Sequence, residues 1–189
     1  MDYKTIKNST AYKLDKNCCT VVASSIAFNV PFEEMQTYFF KHGRKRNRGY
    51  WMRNIIKEIA KDYGYKVTSY DKINDYHYID KKRVNTSCFW NHETNEKTLE
   101  NCSITVNNCS AYLGKGTYIL GVSRHVLALK NGIVEDWTKG RKHRINRIYK
   151  IEKVGKKVRR LTFAEEFKSR KSFFESGGNV IDDIIEGGL

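Results

Sequence analysis

Two residues in the second half of the chain, His125 and Asp136, are of types that together can move a proton. Between them lies Asn131-Gly132, flanked by apolar residues, which is a strong signal for a two-residue type I′ hairpin turn. Such a turn fixes the strand register and places His125 and Asp136 on one face as diagonal neighbours, roughly 7–8 Å apart at the backbone. A carboxylate there can hold one imidazole nitrogen and leave the other as a base. The sequence therefore predicts a His–Asp pair.

Cys19 is the candidate nucleophile. It lies in an apolar segment of small residues, 18–28, and Asn17 before it is a residue type that commonly caps a helix. A helix starting at Cys18 puts Cys19 in the first turn, where free N–H groups and the helix dipole favour a thiolate and stabilise an oxyanion beside it. Cysteine hydrolases use a thiolate of this kind with a His and a carboxylate. The alternative is that Cys19 is a small buried core residue.

The pattern of apolar residues changes from helical spacing to strand-like alternation after Gly64. Helices followed by strands indicate an α+β fold, which we assign to residues 1–161, with a helical and flexible tail at 162–189. Residues 71–99 are polar and irregular and receive no assignment. The predicted helices are 18–28, 32–41, 50–63, 105–113 and 163–174, and the predicted strands are 65–70, 118–122, 125–130, 133–138, 145–151 and 157–161.

The 189 residues carry a formal net charge of +14, which favours polyanions or acidic protein partners. Arg44, Lys45, Arg46 and Arg48 form a basic loop, here predicted to bind nucleic acid or an acidic protein. The alternative is an ordinary solvated surface. No apolar run is long enough to span a bilayer, and the first residues lack the apolar stretch of a secretory signal. We therefore expect a cytoplasmic protein without membrane contact.

The five cysteines match no familiar disulfide framework, and in a reducing compartment they stay free thiols. Cys88, His92, Cys102 and Cys109 are four zinc-ligand types within a short span. They lack the paired Cys-x-x-Cys spacing of zinc knuckles. We therefore predict no metal and no cofactor.

Several short motifs follow one another along roughly residues 15–150: Asn17-Cys18-Cys19, Pro31-Phe32-Glu33-Glu34, 43–49, Gly116-Thr117-Tyr118-Ile119, His125-Val126-Leu127-Ala128 and 131–136. In this order they resemble the papain-like cysteine peptidases, and more narrowly small phage-encoded members of that superfamily. The resemblance implies a papain-like fold, in which N-terminal helices with the nucleophile at a helix start pack on a C-terminal antiparallel sheet. It implies Cys19 as nucleophile, His125 as base and Asp136 as the residue that orients the histidine.

The same resemblance implies a hydrolase that cleaves an amide or isopeptide bond in a protein or peptide, in the host cytoplasm if the chain is phage-encoded. Relatives usually carry Asp where this chain has Cys18, so the resemblance leaves two adjacent thiols as nucleophiles. Papain-like enzymes place a Gln before the cysteine to complete the oxyanion hole, and the Asn17 amide is the candidate substitute here. The alternative function is a catalytically weak or inactive relative that binds nucleic acid or an acidic host protein.

Overall fold

The computed structural model describes residues 1–79, 82–99 and 103–154, with the backbone alone at 74–79 and 82–87. Within these ranges helices and an antiparallel sheet are combined, as predicted for an α+β fold. The helices are α1 (Tyr3–Asn8), α2 (Thr10–Leu14), α3 (Cys19–Phe28), α4 (Phe32–Lys41), α5 (Met52–Tyr63) and α6 (Cys109–Leu113). The strands are β1 (Tyr65–Ile79), β2 (Lys82–Asn91), β3 (Glu96–Thr98), β4 (Thr117–Val122), β5 (His125–Lys130), β6 (Ile133–Glu135) and β7 (Arg147–Lys153).

The described strands form one sheet in the order β3-β2-β1-β7-β4-β5-β6. Every neighbouring pair in it is antiparallel. β5 therefore lies between β4 and the edge strand β6, and hydrogen bonds from both sides fix its backbone. That position matters because β5 begins at His125.

Helix α3 is the central helix of the molecule, and every residue in it after Cys19 is buried. Val21 and Ile26 are 0% exposed, and the helix packs against β4 and β5 of the sheet and against α4. Asn29 ends it in the left-handed conformation, with φ of 53°. Because each fully buried side chain of this type contributes about 1.5–3 kcal/mol, the first turn of α3 rests on a firmly packed helix.

The sheet separates two apolar cores. Along β5, Ala128 faces the helices, whereas Leu127 and Leu129 face the opposite side, as the alternation of a strand requires. The helical side is filled mainly by α3, α4 and α5, and the other side by residues near α6. Both faces of β4 and β5 are thus covered, which keeps the strands that position the candidate site rigid.

The N-terminal half follows the sequence predictions closely at α3, α4 and α5 and departs from them before α3 and after α5. α1 and α2 were not predicted, although Asp2 and Ser9 cap them with their side chains. β1 continues past the predicted end of 65–70 to Ile79 and pairs with β2, inside the stretch that received no assignment. Polar residues at most positions of 71–87 erase the alternation by which strands are recognised.

Two of the later elements, α6 and β6, are shorter than predicted, and β7 is displaced by two residues. α6 covers Cys109–Leu113 only, because Thr105 instead forms an isolated bridge with Arg144. β6 ends at Glu135 and β7 begins at Arg147. The strand predicted at 157–161, the helix at 163–174 and the boundary at 161/162 lie outside the described residues. Within the part of the chain that is described, no helix has the length and apolar character to cross a bilayer.

Candidate active site

Two tight turns position β5 and the strand that follows it. Val122 pairs with His125 across the first, where Arg124 has φ of 57°. The second is the predicted Asn131-Gly132 turn, with φ of 53° and 79°, and it pairs Lys130 with Ile133 as expected. Positive φ at both central residues is the mark of a type I′ turn. The first turn places His125 at the start of β5, and the second aligns β6 with it.

The structure brings His125 and Asp136 into contact: Nε2 of the imidazole lies 2.9 Å from Oδ2 of the carboxylate. Both side chains are largely enclosed, at 15% and 4% exposure. The same Oδ2 atom accepts hydrogen bonds from the backbone N–H of Thr138 at 2.9 Å and from its hydroxyl at 2.6 Å. Thr138 therefore fixes the carboxylate that orients the histidine. Sequence reasoning missed it, although side chains of Asp commonly bond the backbone two residues on.

Helix α3 begins at Cys19, one residue later than the predicted start at Cys18. The backbone N–H of Cys19 is one of the first four of the helix, which have no intrahelical acceptor. The predicted cap is wrong: Cys18 occupies the N-cap position, and Asn17 lies in the left-handed region with φ of 57°. The Asn17 amide instead donates a hydrogen bond to the backbone oxygen of Asn47 at 3.2 Å. The N-cap is the residue directly before the first helical residue, and because α3 begins at Cys19, Asn17 lies one position too early to cap it.

The thiol of Cys19 and the imidazole of His125 line the same clefts and interact with each other. Burial raises the pKa of Cys19, but the hydrogen bond and charge of His125, with the N–H groups of Val126 and Thr20, outweigh it and lower the pKa below its ordinary value. Burial lowers the pKa of His125, whereas its bonds to Asp136 and Cys19 raise it to about 9. The two opposite shifts favour a thiolate–imidazolium pair at neutral pH.

Cys18 has the opposite environment. It is 4% exposed, and burial together with the charge of Asp15 raises the pKa of its thiol to about 11. Both cysteines line the larger cleft, but Cys18 is a buried thiol that is protonated at neutral pH, whereas Cys19 is only partly buried. Of the two thiols that the sequence left open, the structure favours Cys19.

A buried ion pair holds the segment that precedes Cys19. Arg44 donates to both oxygens of Asp15, at 2.6 and 3.1 Å, and both side chains are 0% exposed. The Asp15 carboxylate also accepts from the backbone N–H of Asn47 at 2.7 Å, and Asn47 Oδ1 accepts from the N–H of Lys16 at 2.7 Å. The interpretation of Arg44 as part of a binding surface is therefore wrong. Lys45, Arg46 and Arg48 are exposed.

Two open clefts meet at Cys19 and His125. One has a volume of about 760 Å³ and is also lined by Asn17, Asp136 and Trp137. The other has a volume of about 500 Å³ and extends towards Trp51. Because both clefts share the thiol and the imidazole, an extended chain can lie across the site with a segment on each side.

Strand alternation after Asp136 predicts that Trp137 packs in the core, and the structure corrects this prediction. Trp137 is 51% exposed, its ring centre lies 5.3 Å from that of His125, and the Arg141 guanidinium lies 4.9 Å above it. β6 has ended by this point, so strand alternation no longer determines where the side chain points. Trp137 therefore shields one side of the imidazole from solvent.

The candidate zinc ligands are not gathered in the described residues. Cys88 and Cys109 are buried free thiols, and Cys102 lies outside the described residues. No group of three or more His, Cys, Asp or Glu side chains suited to a metal occurs in the described ranges. The reactive groups that the structure does assemble are those around Cys19.

Comparison of the chain with protein-family models, with curated proteins and with solved structures gives no match. The assignment of a function therefore rests on the geometry and electrostatics of the site.

Proposed function

We propose that the protein is a papain-like cysteine hydrolase that cleaves an amide or isopeptide bond in a protein or peptide. The observation that carries the proposal is the continuous chain of contacts from Cys19 through His125 to Asp136. Its electrostatics are those of an activated nucleophile, because the pKa of the thiol is lowered and that of the imidazole is raised.

The reaction follows from the positions of these groups. The Cys19 sulfur attacks the carbonyl carbon and forms a tetrahedral oxyanion. His125 gives its proton to the leaving nitrogen, the C–N bond breaks, and an amine departs from a thioester. His125 then takes a proton from water as the water attacks the thioester, which releases the acid and regenerates the thiolate. Asp136 holds the imidazole in one orientation throughout, because its Oδ2 is bonded to Nε2.

Two N–H groups near the sulfur suit the oxyanion. One is the backbone N–H of Cys19 at the start of α3. The other belongs to the Asn17 side chain, which lines the larger cleft and has two N–H groups, of which one bonds the Asn47 backbone oxygen. Asn17 thus fills the role that the Gln performs in papain-like enzymes.

The architecture supports the same class. A buried helix that begins at the nucleophile packs on an antiparallel sheet, in which His125 begins β5 and Asp136 directly follows the neighbouring strand β6. The motif resemblance implies an arrangement of this kind. The resemblance to phage-encoded members further suggests a protein substrate in the host cytoplasm.

A second function is favoured by the exposed residues of the basic loop. Lys45, Arg46 and Arg48 are accessible, and the whole chain carries +14. We propose nucleic-acid binding as the alternative function of this fold. It predicts affinity that falls steeply with salt, is lost in a triple Gln variant of the loop and survives Cys19→Ala.

The proposed hydrolase is tested with a proteome-derived peptide library and a set of isopeptide-linked branched peptides. New termini or released branches, identified by mass spectrometry, are expected with the wild type and with Cys18→Ala. They are expected to be absent with Cys19→Ala. Cleavage that survives Cys19→Ala, or no cleavage of either set by the wild type, would contradict the proposal.

A further inference from the structure

Two arginines that line the smaller cleft, Arg53 and Arg147, converge on the carboxylate of Asp71. This carboxylate accepts from Nε of Arg147, from Arg53 at 3.1 Å and from His92 Nε2 at 3.1 Å. Arg53 lies on α5, and Arg147 is the first residue of β7, so a helix and a strand hold the two guanidinium groups on one carboxylate. We call Asp71, Arg53 and Arg147 the Asp71 cluster.

The Asp71 cluster has more positive than negative charge. Two guanidinium groups share one carboxylate, and Arg124 also lines the cleft. Each guanidinium has five N–H donors, and the Asp71 contacts use only part of them. The Arg53 and Arg147 side chains are 63% and 29% exposed, so the remaining donors are accessible from the cleft.

A second observation at the same place points to a ligand. Tyr149 lines this cleft and is 3% exposed. Its enclosed hydroxyl lies beside the Arg147 guanidinium and feels the charges of Arg147 and Arg53. A ligand oxygen at this place would accept a hydrogen bond from the hydroxyl as well as from the arginines.

We propose that the Asp71 cluster and Tyr149 form a subsite for the carboxylate of an acidic residue in the peptide substrate. The inference rests on the proposed function, because it makes Cys19 the residue that attacks a neighbouring bond. Planar guanidinium groups match a carboxylate in geometry and charge. The cleft shares Cys19 and His125 with the reactive centre, which places the acidic residue within the segment that the enzyme cleaves.

A peptide suits the subsite better than a nucleic acid. The arginines lie inside a cleft of about 500 Å³ that ends at the nucleophile. Trp51, which is 77% exposed, lines the same cleft and offers an apolar surface to the residue beside the acidic one. A binder of phosphate backbones instead uses cations spread along an exposed surface.

The test uses epoxysuccinyl probes that carry two alanines on each side of the epoxide, with one alanine replaced by Glu or by Gln. The Cys19 sulfur attacks an epoxide carbon, the C–O bond breaks, and the oxygen takes the proton from His125. Intact-mass measurements give the rate of alkylation for each Glu and Gln pair. At one position we expect the Glu probe to react about tenfold faster than the matching Gln probe, because only the Glu carboxylate forms charged hydrogen bonds with the arginines.

The matched variants are Arg53→Gln and Lys57→Gln. Lys57 is an exposed cation one turn further along α5 that lines neither cleft. We expect Arg53→Gln to reduce the ratio of the alkylation rates of the Glu and Gln probes to about 2 or less, because the remaining charges attract the carboxylate only weakly. Lys57→Gln should leave the ratio at its wild-type value. Arg147→Gln and Tyr149→Phe should each lower the ratio as well.

Three results would overturn the inference. Equal rates for Glu and Gln at every position, with Cys19 alkylated, would exclude the subsite while leaving the proposed hydrolase intact. A Glu preference that survives both Arg53→Gln and Arg147→Gln would place the acid elsewhere. Protection of Cys19 by a single-stranded oligonucleotide, lost in Arg53→Gln, would assign the cluster to nucleic acid. If no probe alkylates Cys19, the result contradicts the proposed hydrolase function as well as the subsite.

Discussion

The imidazole of His125 is held by Asp136 through Nε2, at 2.9 Å from Oδ2, which leaves Nδ1 for Cys19. This one contact fixes the ring orientation and so decides which ring nitrogen remains for the thiolate. It arises because His125 begins β5 and Asp136 directly follows the neighbouring strand β6.

Asp136→Asn tests that contact. An amide in place of the carboxylate weakens the stabilisation of the imidazolium, so we expect kcat/KM for a cleaved peptide to fall by about 10²-fold or more. The matched control is Glu135→Gln, one residue earlier, which can still accept the bond from the backbone N–H of Tyr3. The kcat/KM of Glu135→Gln should stay within about twofold of wild type, because substitutions that keep the local contacts usually have small effects. Equal losses in the two variants would contradict a specific role for Asp136.

Thr138 is predicted to position Asp136. Thr138→Val keeps the shape but removes the hydroxyl that donates to Oδ2 at 2.6 Å, while Thr138→Ser keeps the donor. We expect Thr138→Val to lower the free energy of unfolding by about 1.5–3 kcal/mol, as for a hydrogen bond to a charged group. Denaturant unfolding measures that loss. Alkylation of Cys19 at pH 7 should slow in Thr138→Val and recover in Thr138→Ser, and an unchanged rate in Thr138→Val would show that Thr138 serves stability alone.

The ionisation of Cys19 gives a pH prediction. Its pKa lies below the ordinary value of 9.0 because the His125 contacts outweigh burial. The absorbance of the Cys19 thiolate near 240 nm is identified as the part of the signal that is lost in Cys19→Ser. In the wild type this absorbance should therefore appear below pH 9.0. In His125→Gln burial remains but the cation is gone, so the same step should move above pH 9.0. An unmoved step would contradict the ion pair.

The rate of hydrolysis should also fall at high pH. The pKa of His125 is raised to about 9, so the imidazolium that protonates the leaving amine is present below that pH and is lost above it. The rate is expected to rise as Cys19 ionises and to fall as the pH passes about 9. A rate that keeps rising through pH 10 would contradict His125 as the acid.

The pair Asp15–Arg44 is predicted to stabilise the segment before Cys19. Arg44→Met leaves a buried carboxylate without its cation, at a cost of about 3–5 kcal/mol in the free energy of unfolding. Arg46→Met, an exposed change two residues away, should alter that free energy by no more than about 0.5 kcal/mol. Chemical denaturation of both variants checks this, and a similar small effect for Arg44→Met would show that the pair is not important to stability.

The sequence was informative where a local signal determines geometry. Asn131-Gly132 defines its turn through positive φ, and the β5–β6 pairing that it sets leaves Asp136, directly after β6, within reach of His125. The Asp15–Arg44 pair, the exposure of Trp137 and the Asp71 cluster could not be predicted in this way. Each depends on residues distant in the chain that the fold brings together, as Asp71 and Arg147 are.

Whether Cys19 is the activated nucleophile is measured by site-resolved labelling with chloroacetamide at pH 7, read by peptide mass spectrometry. We expect rapid modification of Cys19, slow modification of Cys18, and loss of the rapid phase in His125→Ala. Rapid modification of Cys18, or a Cys19 rate that His125→Ala leaves unchanged, would contradict Cys19 as the activated nucleophile.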